Sequence, residues 1–266
     1  MSQFFYSSID WSRLWYASIH AAAQNILCAP DWRAALNAQA VAQGLCNQRG
    51  LPLTFVPQEN LPEDTAYEAF IGAAGCVPTR ENLHDFFNAM VWLSFPRIKR
   101  ALNALQAAQI AVAGVGKSRG PARDAATLFD ENAALLVVRD AQSGRALVEA
   151  LRTHRWHDAF IGQRAHFGSE AQVWLFGHAL MEKLVSPYKA ITAHTWVVLA
   201  PPEFFALDAI SRRGWIDAAV AQKLERHALS TADFTPLPVL GVPGWWPGQD
   251  AAFYADVSVF RPQRQR

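Results

Sequence analysis

The sequence is poor in cysteine, and its few cysteines stand far apart. Cys28, Cys46 and Cys76 are odd in number and form no C-x-x-C pair. This spacing excludes a recognisable disulfide framework or thiolate zinc site. We therefore expect three small buried side chains in a reducing compartment, which indicates the cytoplasm.

Long apolar runs and an excess of one charge are also missing. No uncharged stretch reaches the roughly 20 apolar residues that a membrane span needs. Asp10 and Arg13 interrupt the segment where a signal peptide would need an apolar run. Lys and Arg number 24 against 23 Asp and Glu, whereas duplex-binding proteins carry a clear basic excess. We expect a cytoplasmic protein without nucleic-acid or membrane partners; its oligomeric state stays open.

Three common functional motifs are absent. The sequence contains no P-loop, no G-x-G-x-x-G and no H-E-x-x-H. These motifs are signatures of nucleotide binding and of zinc proteases. No cofactor can therefore be assigned from the sequence.

Hydrophobic and aromatic residues are plentiful instead. They make up 51% of the chain and include ten Trp and sixteen Phe, enough for a sizeable core. No repeat, linker or charge block divides the chain, so residues 1–266 are expected to form a single globular domain. Residues 1–50 would supply N-terminal helices. Residues 236–266, a Pro/Gly/Trp-rich segment and a final strand, would pack on the rest.

Apolar periodicity predicts an α+β fold, a predominantly helical single domain with an αα-hairpin and a small, mostly antiparallel sheet. Besides the hairpin, helices are expected over residues 9–27, 31–46, 65–74, 143–153, 169–185, 204–210 and 216–227. Strands are expected over residues 53–56, 126–129, 134–138, 195–199 and 253–260. A loop is expected over residues 114–120.

The expected hairpin carries the first polar cluster. Thr79 can cap a helix over residues 80–93, and Pro96 can begin another over residues 95–112. A polar row follows one face of each helix. The first row is Arg80, His84 and Asn88, with Asp85 beside it, and the second is Lys99, Asn103 and Gln106. Facing rows would enclose a polar pocket. The alternatives are a solvated surface and a satisfied buried network.

The second cluster surrounds the expected turn between residues 126–129 and 134–138. Asp130, Glu131 and Asn132 suit turn chemistry, because Asp and Asn accept backbone N–H groups. Nothing local requires the preceding pair, Arg123 and Asp124. That pair is therefore a candidate for the site.

The third cluster lies in the sequence Gly-His-Ala-Leu-Met-Glu-Lys of residues 177–183. His178 and Glu182 stand at i and i+4 on one helical face, a spacing that suits acid–base work or metal binding. A zinc or iron site needs at least three converging ligands. We therefore assign no metal, and a simple His–Glu pair remains the alternative.

Two further segments have both a structural and a functional interpretation. Glu68, after Tyr67, is the nearest candidate partner in sequence for Arg80, as a structural ion pair. The segment at residues 241–248 contains Trp245 and Trp246 between Pro and Gly residues. It either covers the core or presents Trp faces to a ligand.

These segments resemble an uncharacterised bacterial family, the domain of unknown function 3025. The matching stretches are residues 55–58, 67–68, 78–88, 95–96 with 99 and 103, 123–131, 177–183, 238–245, 253–254 and 259–262. They run from about residue 50 to the C-terminus, so the resemblance implies one domain. It implies no substrate, cofactor or catalytic role.

Three hypotheses follow, of which the third is a metal-dependent form of the first. In the first, the protein is a hydrolase or transferase for a small anionic or phosphorylated substrate. The candidate catalytic residues are His84, Asp85, Asp124, His178 and Glu182. The candidate substrate-binding residues are Arg80, Asn88, Lys99, Asn103 and Arg123. In the second, the polar clusters are structural and the Trp-rich segment recognises a partner.

Overall fold

The computed structural model describes residues 5–113 and 120–263. Its helices are α1 (His20–Leu27), α2 (Trp32–Ala42), α3 (Tyr67–Ala74), α4 (Leu83–Ser94), α5 (Pro96–Ala113), α6 (Pro121–Asn132), α7 (Gln142–Arg152), α8 (His178–Lys183), α9 (Ala209–Arg226) and α10 (Ala251–Tyr254). Its strands are β1 (Thr54–Val56), β2 (Cys76–Pro78), β3 (Ala133–Arg139), β4 (Ala171–Leu175), β5 (Thr192–Ala200) and β6 (Phe234–Pro238).

The main sheet has four strands in the order β4-β3-β5-β6. β3 and β5 pair in parallel in the middle, and β4 and β6 pair antiparallel to them at the edges. β3 is apolar from Ala133 to Val138 and buried along that length, as expected for a strand covered on both faces. β1 and β2 form a separate parallel pair. The predicted α+β class with a small, mostly antiparallel sheet is confirmed.

Aromatic side chains link the sheet to the helices around it. Phe129 of α6 packs edge-on against Phe176 and Trp196, with ring centroids 5.2 and 5.4 Å away. Towards the N-terminus, Tyr16 stacks on Phe87 of α4 at 5.5 Å. Apart from Ile110, the buried apolar residues of the described chain form one cluster that extends from Tyr6 to Phe260. One core therefore serves the whole described chain, as in a single domain.

The predicted pair of consecutive helices is present as α4 and α5, separated by Phe95. α4 packs on α8, whereas α5 packs on α3 and α9. The cap of α4 is Asn82, whose Oδ1 accepts from the backbone N–H of Asp85 at 2.8 Å. Thr79, the predicted cap, instead donates its hydroxyl to the Val77 carbonyl. An Asn nearer the apolar run provides the capping oxygen, so the helix begins three residues later than predicted.

The strand predicted at residues 126–129 is wrong, because these residues belong to α6. Gly120 and Pro121 begin this helix, and Ala125, Ala126 and Phe129 form its buried face. Spacings of three and four residues suit a helix better than a strand. Asp130 and Glu131 therefore lie on the last helical turn, not in a hairpin turn.

Two other predicted elements are also wrong. Residues 169–185 were expected to be one helix, but they contain strand β4 and then the short helix α8. The break falls at Gly177, where a Cβ atom would lie 2.5 Å from the Glu131 carbonyl oxygen. Residues 253–260 were expected to be a strand, but they contain the end of α10 and turns. Asp250 caps α10 by accepting from the Phe253 N–H.

The cysteines are less buried than the sequence predicts, and one predicted loop lies almost entirely outside the described residues. The cysteines were expected to be buried, yet Cys28 is exposed and Cys46 and Cys76 are half-buried. The loop predicted at residues 114–120 falls almost entirely outside the described residues. Residues 116–120 match G-x-S-x-G, and of these residues only Gly120 belongs to the described part of the chain. Within the described ranges, no helix is long and apolar enough to cross a membrane.

Asp217 of α9 fixes the start of α5. Its carboxylate accepts from the backbone N–H groups of Arg97 and Ile98 at 3.1 and 3.0 Å. Those donors have no partner inside the helix, so the carboxylate acts as a cap supplied by a distant segment. Burial raises the pKa of Asp217 to about 6, against the lowering effect of these two hydrogen bonds.

We predict that Asp217 gives the free energy of unfolding a measurable pH dependence. Because its pKa is raised on folding, its contribution is fully present below the unfolded value near 4 and is lost as pH rises through about 6. Relative to Asp217→Asn, wild type should lose on the order of 2 kcal/mol between pH 4 and 7. Urea unfolding across this range measures the difference. Gln222→Ala, on the same helix, is the uncharged control, and parallel curves for wild type and Asp217→Asn would contradict the prediction.

Candidate functional site

A cavity of about 300 Å³ gathers polar side chains from α3, α4, α6 and α8. Its lining residues are Gln58, Leu61, Tyr67, Glu68, Arg80, His84, Asp85, Asn88, Asp130, Glu131 and His178. A second cavity of similar size is bordered by Trp156, Pro236 and Pro238. Its His154 already contacts the Arg261 carbonyl. Titratable groups from distant segments therefore converge in the first cavity, which is the candidate site.

A histidine pair lies where α4 meets α8. The Nε2 atoms of His84 and His178 are 3.1 Å apart, and the rings are nearly perpendicular. Glu182, one turn beyond His178 on α8, lies 3.0 Å from His84 Nδ1. The missing side chain of Gly177 lets the start of α8 approach the end of α6 closely. The predicted i, i+4 pair thus flanks His84, which is 94 positions away from His178.

Carboxylates at both outer nitrogens constrain the protons on this pair. A carboxylate only accepts, so Glu182 requires a proton on His84 Nδ1. Oδ2 of Asp130 lies 3.7 Å from His178 Nδ1 and attracts a proton to that nitrogen, although the distance exceeds a hydrogen bond. With both Nδ1 atoms protonated, the two Nε2 atoms attract each other only if they share one additional proton. The pair is therefore built to take up and release a proton at Nε2.

The two histidines differ in their surroundings. His178 is buried, and burial lowers its pKa to about 4, against the opposing attraction of Asp130. His84 is more open, with 36% of its side chain exposed. His178 is thus neutral at neutral pH, and its Nε2 can accept a hydrogen bond from His84. His84 is the member that can exchange a proton with a molecule in the cavity.

An ion pair between Lys99 and Asp130 lies beneath the cavity. The Nζ atom of Lys99 donates to Asp130 Oδ1 at 2.6 Å, and the two side chains are 4% and 9% exposed. Lys99 also donates to Asn88 Oδ1 at 2.8 Å, and Asn88 donates to the Tyr67 hydroxyl at 2.9 Å. Burial alone would raise the pKa of Asp130, but Lys99 and then His178 outweigh it, so the pKa is lowered. The carboxylate stays charged beside His178.

Arg80 and Asp85 form a second ion pair at the mouth of the cavity. The guanidinium donates to both carboxylate oxygens at 2.9 and 3.0 Å, and the Arg80 backbone N–H donates to Oδ2 at 2.7 Å. Such bidentate pairs fix both side chains. Both oxygens of Asp85 therefore have donors. The Asp85 side chain is buried, while that of Arg80 is more than half exposed.

Glu68 and Glu131 line the cavity without a cationic partner at ion-pair distance in the described structure. Glu68 Oε2 accepts from Asn103 Nδ2 at 2.6 Å, and burial raises the pKa of Glu68. The Tyr67 pKa is also raised, first by burial and then by the negative charge of Glu68. The tyrosine is consequently a donor with its proton retained.

The structure brings together most of the predicted site residues. His84, Asp85, His178, Arg80 and Asn88 line the cavity. Glu182, Lys99 and Asn103 support lining residues from behind, through His84, Asp130 and Glu68 respectively.

Three predicted polar residues lie elsewhere. Asp124 is exposed on the first turn of α6, where a carboxylate suits the helix dipole. Arg123 is buried outside the cavity lining, and its Nε and Nη1 atoms have no partner in the described part of the chain. Gln106 is buried on α5 and is not part of the lining.

Tyr67, Glu68, Asp130 and Glu131 line the cavity but are not among the site residues predicted from the sequence. The predicted hairpin turn gives Asp130 and Glu131 a local structural role instead. Because α6 is a helix, Asp130 lies seven positions after Arg123 on the same helical face. A helix assignment for this segment would therefore have placed Asp130 among the candidate residues. Among the described residues, no three His, Cys, Asp or Glu side chains are arranged to hold a metal ion.

We predict that Lys99→Met destabilises the protein strongly. The substitution leaves the buried Asp130 carboxylate without its cation, which should lower the free energy of unfolding by about 3 kcal/mol or more. Lys99→Met combined with Asp130→Asn should recover part of this loss, because no charge remains buried. Guanidinium unfolding at pH 7 measures both.

The exposed Lys183→Met is the matched control and should change the free energy by less than about 0.5 kcal/mol. Equal losses for the single and double Lys99 variants would show that the ion pair is not what stabilises this region.

Comparison with known proteins identifies a family but no characterised relative. No curated protein and no solved structure matches the chain. A family model matches residues 53–264, which include the whole lining of the cavity and its supporting residues. This confirms the resemblance found in the sequence. The chain belongs to the family described as "Protein of unknown function (DUF3025)".

Proposed function

We propose that the protein is an enzyme, a hydrolase or transferase, that uses the His84–His178 pair for general acid–base catalysis on a small polar substrate. The observation that supports this most is the chain of contacts from Glu182 through His84 and His178 to Asp130. Polar residues on a solvated surface bind water and do not require such a chain of contacts. Perturbed titratable groups in a cavity are typical of catalytic sites.

In this proposal the four side chains have distinct roles. His84 takes a proton from the substrate or from a water molecule and returns it later. Glu182 orients the His84 ring and stabilises its charged form, as a carboxylate does for a catalytic base. His178 is a positioning residue that accepts from His84, and Asp130 holds the His178 ring in the required tautomer.

The charges of the cavity bear on the expected substrate. An anionic or phosphorylated substrate was predicted on the assumption that Arg80, Lys99 and Arg123 hold it. Arg80 and Lys99 are each paired with a carboxylate, and Arg123 does not line the cavity. These contacts support acid–base chemistry more than they support anion binding.

The alternative is a protein that binds a partner through its Trp-rich segment. That segment is tied to the core, since Gln249 donates to the carbonyls of Leu240 and Val242 at 2.7 and 2.8 Å. Trp245 packs against Trp15 at a centroid distance of 6.4 Å. These contacts support a structural cover, and the binding alternative has less support.

We predict that His84→Asn lowers turnover about a hundredfold or more, the usual size of a general acid–base contribution. The assay is hydrolysis and group transfer across panels of esters, amides, phosphate esters and glycosides. His166→Asn is the matched control, because His166 makes a similar contact to Glu170 at 2.8 Å and is equally exposed. The control should keep full activity.

A second measurement does not depend on knowing the substrate. Nitrogen NMR of the labelled rings should show Nδ1 protonated in both His84 and His178, with a proton shared between the Nε2 atoms. Separate neutral rings that keep their protons on Nε2, or unchanged turnover in a folded His84→Asn variant, would count decisively against the proposal.

A further inference from the structure

The carboxylates of the cavity outnumber its cations. Its lining carboxylates are Glu68, Asp85, Asp130 and Glu131. Asp85 is bound to Arg80, and Asp130 is bound to Lys99 behind the wall. Glu68 and Glu131 make no ion pair with any described residue. Two carboxylates are therefore left over for whatever enters the cavity.

The backbone at Glu131 is anchored by the residues on either side, whereas its carboxylate makes no hydrogen bond or ion pair within the described residues. Its neighbour Asp130 is held by Lys99 at 2.6 Å, and Asn132 on the other side accepts from Lys183 at 3.1 Å. Glu131 makes no hydrogen bond or ion pair within the described residues, and it is only half-buried. A carboxylate on anchored backbone is a preorganised acceptor.

Glu68 leaves one oxygen for a ligand. Asn103 donates to Oε2 and also to the Glu68 backbone carbonyl, at 2.6 and 2.9 Å, which orients the side chain. Oε1 has no donor in the described structure. Burial raises the pKa of Glu68, Lys99 opposes this effect, and Asp130 adds to it, so a cation bound beside Glu68 would favour its charged form.

His178 borders the acidic wall. It lines the cavity, is 5% exposed, and its Nδ1 atom makes no hydrogen bond within the described residues. That atom lies 3.7 Å from Asp130 Oδ2, so the attraction of the carboxylate offsets only part of the cost of burying the ring. A buried polar ring therefore stands beside the two carboxylates that have no cation.

We infer that the ligand of this cavity is a small molecule bearing a primary ammonium group, which Glu131 and Glu68 bind beside the His84–His178 pair. That this ligand is the substrate rests on the proposed function. That the cavity binds an ammonium group does not depend on it. An ammonium group offers three donors and a positive charge, which match two carboxylates with free oxygens. The volume of about 300 Å³ suits a small molecule.

An anionic ligand fits the same cavity poorly. It would face two uncompensated carboxylates, and the Lys99 amino group is occupied by Asp130 and Asn88. Binding it would require an ion pair to break, and the carboxylate released would be left without its cation. The charge of the wall therefore selects against phosphates and carboxylates.

The test compares three four-carbon ligands that differ in end group. These are 1,4-diaminobutane, 1,4-butanediol and succinate, titrated into the wild-type protein and followed by calorimetry and amide chemical shifts. We expect the diamine to bind at least tenfold more tightly than the other two, and to bind more weakly as salt is added. Because this comparison uses only the wild type, it needs no variant to fold.

Variants then assign the binding to the acidic wall. Glu131→Gln should weaken diamine binding about tenfold, the loss expected for one charge-assisted hydrogen bond. Glu68→Gln should also weaken it. Glu225→Gln removes one negative charge from an exposed position on α9 and should leave the affinity unchanged.

The outcomes separate this inference from the proposed function. Butanediol or succinate binding as tightly as the diamine would overturn the inference, as would diamine binding that folded Glu131→Gln and Glu68→Gln both retain. Neither result would affect the proposed acid–base role. Conversely, His84→Asn should keep diamine affinity within about twofold while losing turnover, so a failure of the catalytic proposal would leave ammonium binding intact.

Discussion

The buried ion pair between Lys99 and Asp130 is the interaction on which the site depends. It joins α5 to α6, and both charges are almost removed from solvent. Burial of two charges stabilises a fold only when each keeps its partner and further hydrogen bonds, because desolvation otherwise dominates. Lys99 meets this condition through its hydrogen bond to Asn88. Asp130 is in addition attracted to His178 Nδ1, 3.7 Å away and beyond hydrogen-bond distance. One pair therefore fixes the polar floor of the cavity, the orientation of Asn88 and the environment of His178.

The spacing of residues along the sequence predicts which site residues share a face of one helix, but not which helices meet. Positions i, i+4 and i+8 on a helix share a face, so the alignment of His84 with Asn88 could be predicted from α4 alone, and so could that of His178 with Glu182 on α8. The meeting of His84 with His178 could not, because it depends on how α8 docks on α4. That docking depends on the close approach allowed by Gly177, a contact that spacing does not encode.

The errors have a common physical cause. Asp130, Glu131 and Asn132 have the composition of a turn, and they are followed by an apolar strand, so a hairpin was predicted. Helix propensity and turn propensity differ little for such residues, and tertiary burial of Ala125, Ala126 and Phe129 decided the outcome. A hairpin turn explains Asp130 locally and leaves Arg123 and Asp124 as the candidate site residues of this segment. In the structure Asp130 lines the cavity, whereas Arg123 and Asp124 do not.

The same pairing that stabilises the fold decides what chemistry remains available. A charge engaged by a fixed partner contributes little to binding a ligand, since the partner must first be displaced. The sequence-based hypothesis of an anionic substrate requires Arg80, Lys99 and Arg123 to be free to bind it. The structure engages Arg80 and Lys99 with carboxylates and places Arg123 outside the cavity lining. The polar groups left to interact with a ligand are the histidine pair and two carboxylates that form no ion pair with a described residue. These groups, and not the total number of charged residues, determine which molecules the cavity can hold.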